Sequence, residues 1–538
     1  MRSMLLAAAA SAATPAAAQT ASPKLIIAIS VDQLSSDLWE AYRPLFTGGL
    51  ARLANEGTVF ANGYQSHSAT ETCPGHSTLL TGRHPAATGI IANSWIDQGA
   101  ARPDKHVYCA EDETAPGSTF ANYQVSATHL RATTLGDRLK TLNPRSRNVA
   151  VAGKDRAAVM MSGRSADERW YWDGKAWVTD LRGKTAPRTI SALKQVFAAS
   201  LAAPREPLEL PPQCQARARP YTVAPGLTVG AGRLARAAGD ARGARAHPEF
   251  DGAVLAAAAG LVGEMQLGRG PATDLLSLGL SATDYVGHSF GSGGAEMCLQ
   301  VLALDRSLDD FFKRLDGTGV DYAVVLSSDH GVMDLPERLR DRGNSQAARA
   351  DPALAAGQVG KLLAPRFGRT ESVLRGEGIG GDVWLDRGLP VAIRPQVLRA
   401  AAERYRAHPQ VHAAYTADEL GRVAMPRGRP DKWSVAERVR AAFDPARSGD
   451  LIVVLKPFIS PIAAPAKGYV ATHGSPWDYD RRVPLVFWRR GVAGGARTEA
   501  VDTVDILPTL GAMAGLRLPA GAVDGRCLDG AAGVHCPR

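Results

Sequence analysis

Three apolar runs of strand length stand out along the chain, and each gives way to polar residues of a chemically useful kind. Leu25-Ile26-Ile27-Ala28-Ile29-Ser30-Val31 is continuous rather than alternating, the pattern of a strand covered on both faces in a parallel sheet, and it ends in Asp32. Asp274–Ala282 reads the same way and leads into Asp284-Tyr285-Val286-Gly287-His288. Tyr322–Ser328 runs directly into Asp329-His330-Gly331. A fourth segment, Tyr469-Val470-Ala471-Thr472, delivers His473 beside Gly474, where the backbone can be approached closely.

In open α/β sheets ligands bind beyond the carboxyl ends of the strands, so these three carboxylates and three imidazoles can converge. Mixed Asp/His sets suit zinc, which accepts nitrogen and carboxylate oxygen and keeps a position open in catalytic sites; the same donors also suit manganese. Taken singly, each residue reads as a solvated loop acid or a hydrogen-bonded histidine. Their joint placement at strand ends favours ligation.

Between the first two runs lies Ala69-Thr70-Glu71-Thr72-Cys73-Pro74-Gly75-His76-Ser77-Thr78, of the form Thr-x-Pro-x-His at the start of a helix. A hydroxyl there faces unpaired N–H groups and the positive end of the dipole, an environment that favours a phosphoryl oxygen. Thr72 is the candidate nucleophile. The alternative is a capped helix start in which Thr72 or Ser77 satisfies backbone donors.

The order Asp32, Thr72, Asp284/His288, Asp329-His330, His473 resembles the metal and nucleophile order of the alkaline phosphatase superfamily. Gly89–Trp95, carrying Asn93, and Gly153-Lys154-Asp155-Arg156 look like the Asn and Lys-x-Arg phosphate-binding elements of its threonine-nucleophile alkaline phosphatases. The resemblance covers most of the chain. It implies an α/β, alkaline-phosphatase-like sandwich with a central mostly parallel sheet, helices on both faces and inserted cap segments. It further implies two zinc ions, one held by Asp284, His288 and His473, the other by Asp32, Asp329 and His330 with Thr72 beside it. Asn93, Lys154 and Arg156 would hold the non-bridging oxygens of a small-molecule phosphate monoester, hydrolysed through a phosphothreonine.

Three other readings compete. A sulfatase requires Cys or Ser in the nucleophile slot and Arg where His76 stands, and Cys73 is one residue out of register. A nucleotide phosphodiesterase also uses threonine and two zincs, but a diester does not call for the Lys-x-Arg pair. A catalytically inactive metal-binding protein needs neither a nucleophile nor phosphate clamps.

Residues 1–18 carry Arg2, an apolar alanine-rich core and Ala16-Ala17-Ala18 before Gln19, the pattern of a cleaved secretory signal, so a periplasmic or secreted enzyme is expected. No later run approaches the roughly 18 apolar residues of a spanning helix. Residues 19–538 are expected to form one catalytic domain with insertions at about 165–265 and 335–460, since the ligands come from both ends of the chain. The formal charge of +9 accompanies an alanine- and arginine-rich composition and is weak evidence for nucleic acid; no nucleic-acid partner is expected, and a monomer is.

Six cysteines in an exported chain point to disulfides. Pairing nearest neighbours gives Cys73–Cys109, Cys214–Cys298 and Cys527–Cys536, the first bracing the nucleophile turn. Arg169–Val178 reads as an aromatic hairpin around Asp173-Gly174, its rings serving sheet packing. Gly376–Gly381 matches Gly-x-Gly-x-x-Gly but precedes strand-like Asp382–Leu385 where a dinucleotide fold requires a helix, so it reads as a loop. His67, His76, His84, His106, His129, His247, His408, His412 and His535 lack an Asp at ligand spacing and are expected at the surface or in support; His76 is placed to brace the turn.

Overall fold

The computed structural model describes residues 21–537, so the signal-peptide reading at 1–18 lies outside the described residues. Ten strands form the central sheet: β1 (Leu25–Val31), β2 (Thr58–Tyr64), β3 (Asn148–Ala152), β4 (Glu168–Trp172), β5 (Trp177–Val178), β6 (Asp274–Leu280), β7 (Tyr322–Ser327), β8 (Arg482–Arg489), β9 (Gly495–Arg497) and β10 (Val501–Asp502). Across the sheet they run β9-β2-β8-β7-β1-β6-β3-β4-β5, with β10 paired to β2. β1 lies parallel to β6 and β7, and β6 parallel to β3, whereas β8 is antiparallel to both β7 and β2.

Every residue of β1 is buried because helices cover both faces. Its period-2 alternation divides the side chains between two cores. The relevant helices are α1 (Gly49–Glu56), α2 (Thr72–Leu79), α3 (Asp155–Ser162), α4 (Glu249–Glu264), α5 (Ala282–Phe290), α6 (Ala295–Thr318) and α7 (Ile506–Met513). Leu25, Ile27, Ile29 and Val31 pack into a cluster with Val254 and Leu261 of α4 and Leu304 and Leu308 of α6. Ile26 and Ala28 point the other way, to Leu507 and Leu510 of α7.

The aromatic hairpin joins the sheet as its β4–β5 edge, with Trp172 opposite Trp177 and both buried against Phe197 and Phe250. A second, four-stranded sheet is built from Leu374–Arg375, Gly381–Leu385, Leu451–Leu455 and Val411–Thr416, in that order. It has its own apolar cluster, including Val359, Leu385, Val397 and Val453. The glycine-rich segment connects the first two strands as a loop over 376–380, and its last glycine, Gly381, opens the second strand. All three expected disulfides form, Cys73–Cys109, Cys214–Cys298 and Cys527–Cys536. Among the described residues no helix is long and apolar enough to cross a membrane.

Asp305 of α6 ties the helical layer together. Its buried carboxylate accepts the backbone N–H groups of Thr47 (2.7 Å), Gly48 (2.8 Å), Leu50 (2.7 Å) and Ala51 (3.2 Å), the orphan donors at the start of α1. Asp305→Ala leaves these donors buried and unpaired, so it should lower stability by about 2–3 kcal/mol, read as a depressed denaturation midpoint. Metal content should be unchanged, because Asp305 touches no residue of the site described next.

Candidate active site

The three central parallel strands release their carboxylates at one edge. Asp32 follows β1, Asp284 lies in the first turn of α5 just after β6, and Asp329 follows β7; all three are buried. Thr72 arrives at the same edge as the first residue of α2, two residues after Thr70, whose carbonyl accepts from His473 Nδ1 at 2.8 Å. Gly75 lets α2 approach: a Cβ there would sit 1.9 Å from the Asp329 carbonyl oxygen.

Two groups of donors assemble, Asp284 with His288 and His473, and Asp32 with Asp329 and His330. These are the two sets that the sequence predicts. Each imidazole turns Nδ1 to a backbone carbonyl: His288 to Ala471 (2.7 Å), His473 to Thr70 (2.8 Å) and His330 to Gly331 (2.9 Å). A carbonyl only accepts, so Nδ1 carries the hydrogen and Nε2 turns its lone pair inward. His288 Nε2 lies 3.2 Å and His473 Nε2 3.5 Å from Asp284 Oδ1; His330 Nε2 lies 3.5 Å from Asp32 Oδ1 and 3.3 Å from Asp329 Oδ2. Lone pairs facing each other at this range repel unless a cation lies between them. The spacing matches the edge of about 3.3 Å expected for ligands placed about 2.0–2.1 Å from a tetrahedral zinc. Asp32 Oδ1 and His330 Nε2 are moreover buried with no hydrogen-bond partner. The residues present therefore fit two metal ions.

Charge around the ligands follows the same logic. Burial, with Asp284 and Asp329 close by, pushes the Asp32 carboxyl well above the usual range. Burial also opposes ionisation of Asp284 and Asp329, but both lie below the ordinary carboxylate range, Asp284 with the Lys154 ammonium at 2.6 Å and Asp329 with His76 at 3.1 Å. Burial lowers His330 to about 3 and lowers His473, keeping both neutral and able to ligate. Lys154 Nζ bridges Asp32 Oδ2 (2.5 Å) and Asp284 Oδ2 (2.6 Å). Burial would deprotonate it, yet Asp284 and Asp32 raise it above the ordinary lysine value.

The Thr72 hydroxyl meets two cations, Lys154 Nζ and Arg156 Nη2, each at 3.4 Å. It does not cap its helix: Glu71 is the capping residue, its side chain making no bond to the helix, and Ser77 donates to Pro74. Asn93 accepts the Cys73 N–H at 2.8 Å and gives its own backbone N–H to Glu71 at 2.7 Å. Its side-chain NH2 remains for the cleft of about 710 Å³ that opens over the site, lined by Asn93, Arg156, His288, Tyr469, Trp477 and the 377–380 loop. Cys73 is bonded to Cys109, which leaves no thiol in the loop for the conversion a sulfatase needs.

His76 braces the nucleophile turn as its position in the sequence suggests, while Tyr108, Tyr123 and Gln33 are contributors that sequence reasoning overlooks. His76 is fully buried, its Nδ1 2.9 Å from the Thr72 carbonyl and 3.1 Å from Asp329 Oδ2. The Tyr108 hydroxyl donates to Asp155 at 2.8 Å and accepts from Arg156 Nη1 at 3.3 Å, and Tyr123 donates to the other Asp155 oxygen at 2.8 Å. Gln33, next to Asp32, reaches both Asp284 and Asp329. Only its adjacency to Asp32 marked it in the sequence.

The profile of the type I phosphodiesterase / nucleotide pyrophosphatase family matches residues 26–476. The chain belongs to this family, within the alkaline phosphatase superfamily. It is 50% identical to alkaline phosphatase PhoK of Sphingomonas sp., over 95% of this chain and 92% of that protein. It is 46% identical to alkaline phosphatase PhoD of Zymomonas mobilis subsp. mobilis, over 94% and 88%. The crystal structure of alkaline phosphatase PafA superimposes with a TM-score of 0.81 at 25% identity, covering 94% of this chain and 98% of that one.

Asp251 is a pH-sensitive support of the site. Asp251 of α4, buried, accepts the Ala282 N–H at 2.9 Å where α5 begins, and the Gln300 amide at 3.0 Å; burial raises its pKa to about 7. The folded state therefore keeps a proton that the unfolded chain releases near 3.8, and this contribution to stability is lost as pH rises from about 4 to about 7. Asp251→Asn removes that loss, and Gln300 can turn its unpaired oxygen to the new amide. Denaturation at pH 5 and pH 8 should show the variant gaining about 2–3 kcal/mol on the wild type across that interval.

Proposed function

We propose that this protein is a zinc-dependent alkaline phosphatase that hydrolyses small-molecule phosphate monoesters through a phosphothreonine at Thr72. The observation that carries this reading is the Thr72 hydroxyl at a helix N-terminus, met by Lys154 and Arg156 beside two Asp/His ligand sets. The names of the relatives PhoK, PhoD and PafA support it.

Asp284, His288 and His473 would hold one zinc, and Asp32, Asp329 and His330 the other. Bound there, the ions would acidify the Thr72 hydroxyl and offset charge on the departing ester oxygen. The protein supplies the rest. The Arg156 guanidinium offers a forked contact to non-bridging oxygens, the Lys154 ammonium a point charge, and the Asn93 NH2 a third donor. Thr72 Oγ1 forms the new bond to phosphorus as the ester oxygen leaves in line, and water later cleaves the phosphothreonine to release inorganic phosphate. Three donors aimed at one phosphoryl group favour a dianionic monoester. The family's own description favours a second reading, diester hydrolysis.

Dialysis against a strong chelator should abolish turnover, and active enzyme should contain about two zincs per chain by elemental analysis. Full turnover by metal-free protein would overturn the reading. Thr72→Ala should lose several orders of magnitude in rate while keeping the fold, and Thr72→Ser should retain substantial activity.

Replacing Lys154 and Arg156 together by alanine separates the two substrate classes. Each charged contact is worth about 1.5–3 kcal/mol, so monoester kcat/KM should fall by roughly two to four orders of magnitude, and the matching methyl diester by less. An equal loss on both substrates, with metal content unchanged, promotes the diesterase reading.

A further inference from the structure

We propose that Gln33 is a positioning residue that locks the two metal-ligand sets to each other. The proposal rests on the metal reading above and concerns a residue that holds ligands rather than one that touches substrate. Gln33 is fully buried between the sets. Its side-chain Nε2 lies 2.7 Å from Asp284 Oδ1, the oxygen that faces His288 and His473. Its backbone N–H donates to Asp329 Oδ1 at 3.1 Å, while Asp329 Oδ2 faces His330. One residue thus fixes a carboxylate from each set, across 251 and 296 positions of sequence.

Three further observations show that this contact is built in. An ionised carboxylate only accepts, so the amide must turn its NH2 to Asp284. The amide oxygen is left buried with no partner, which is unfavourable unless the donor end matters more. Gln33 also holds a φ of +69°, a left-handed conformation that a non-glycine residue adopts at a cost of order 1 kcal/mol or more, and such strain persists where the surroundings over-determine it. Finally, α5 makes room for the amide. A Cβ at Gly287, between Asp284 and His288, would lie 1.6 Å from Gln33 Oε1.

The backbone donor to Asp329 does not depend on the side chain, and the amide donor to Asp284 does. Deleting the side chain should therefore release Asp284 alone. Hydrogen-bond partners of metal ligands typically change affinity by 10–100-fold. Gln33→Gly accepts the positive φ without strain and keeps the N–H to Asp329, so it isolates the amide from the backbone conformation.

The test is a calorimetric Zn²⁺ titration of chelator-stripped protein. Wild type should take up two equivalents. In Gln33→Gly one equivalent should weaken 10–100-fold while the other stays within about threefold, with a single cooperative thermal transition showing that the variant is folded. Gly287→Ala, which drives a methyl into the amide from the opposite side, should weaken the same single equivalent. Two equivalents bound by Gln33→Gly with wild-type affinity would overturn the positioning role and leave the metal reading standing, and so would an equal loss of both. A wild-type protein that binds no zinc would overturn both.

Discussion

The burial of three carboxylates, Asp32, Asp284 and Asp329, at one edge of the sheet is the constraint on which the rest of the site depends. Like charges brought together away from water repel, and each must be matched by a cation or a fixed donor. Lys154 bridges Asp32 and Asp284, His76 leans on Asp329, and Gln33 holds one oxygen of Asp284 and one of Asp329. One ammonium against three carboxylates still leaves an excess of negative charge. Under the proposed reading, divalent cations in the two ligand sets neutralise and then invert that excess, and the buried centre becomes attractive to a phosphoryl dianion.

Topology explains why such distant residues meet. β1, β6 and β7 are adjacent and parallel, so their carboxyl ends open on one edge and their acids are separated by little more than the strand spacing of about 4.8 Å. Thr72 needs a different route, because β2 is separated from this trio by β8. β8 is antiparallel to both neighbours, and two reversals restore the original direction. The loop after β2 therefore leaves at the same edge as Asp32 and can start α2 there.

The convergence of the two Asp/His groups and of the Thr72 turn was legible because their signals are local: a buried run, then an acid or histidine of recognisable type. The disulfides were legible for a similar reason, since each pair closes the nearest available loop. The antiparallel insertion of β8 was not, because Arg482–Arg489 has no feature that fixes its direction; direction comes from the connection. Gln33, Tyr108 and Tyr123 escaped because an amide and a tyrosine have many uses. What gives them meaning is a partner far along the chain, as for Gln33 and Asp284 at 251 positions. Gly287 was visible as a glycine, but its reason lies on another element, where the Gln33 amide fills the space a side chain would take.

The two ligand sets differ in burial, and that difference gives the proposed reaction a direction. Asp32, Asp329 and His330 are all buried, whereas His288 and His473 are partly open and line the cleft. In an in-line displacement the entering and departing oxygens lie on opposite sides of phosphorus. With Thr72 on the enclosed side, the ester oxygen must depart past His288 and His473 toward the cleft, where its organic group has room and where water can follow. Part of the cleft wall, at Gly381, Asp382, Trp384 and Ile452 to Leu455, comes from the second sheet, which has its own core. Residues there can change in size and polarity without disturbing the carboxylate cluster, so under the proposed reading the choice of leaving group is separable from the chemistry at phosphorus.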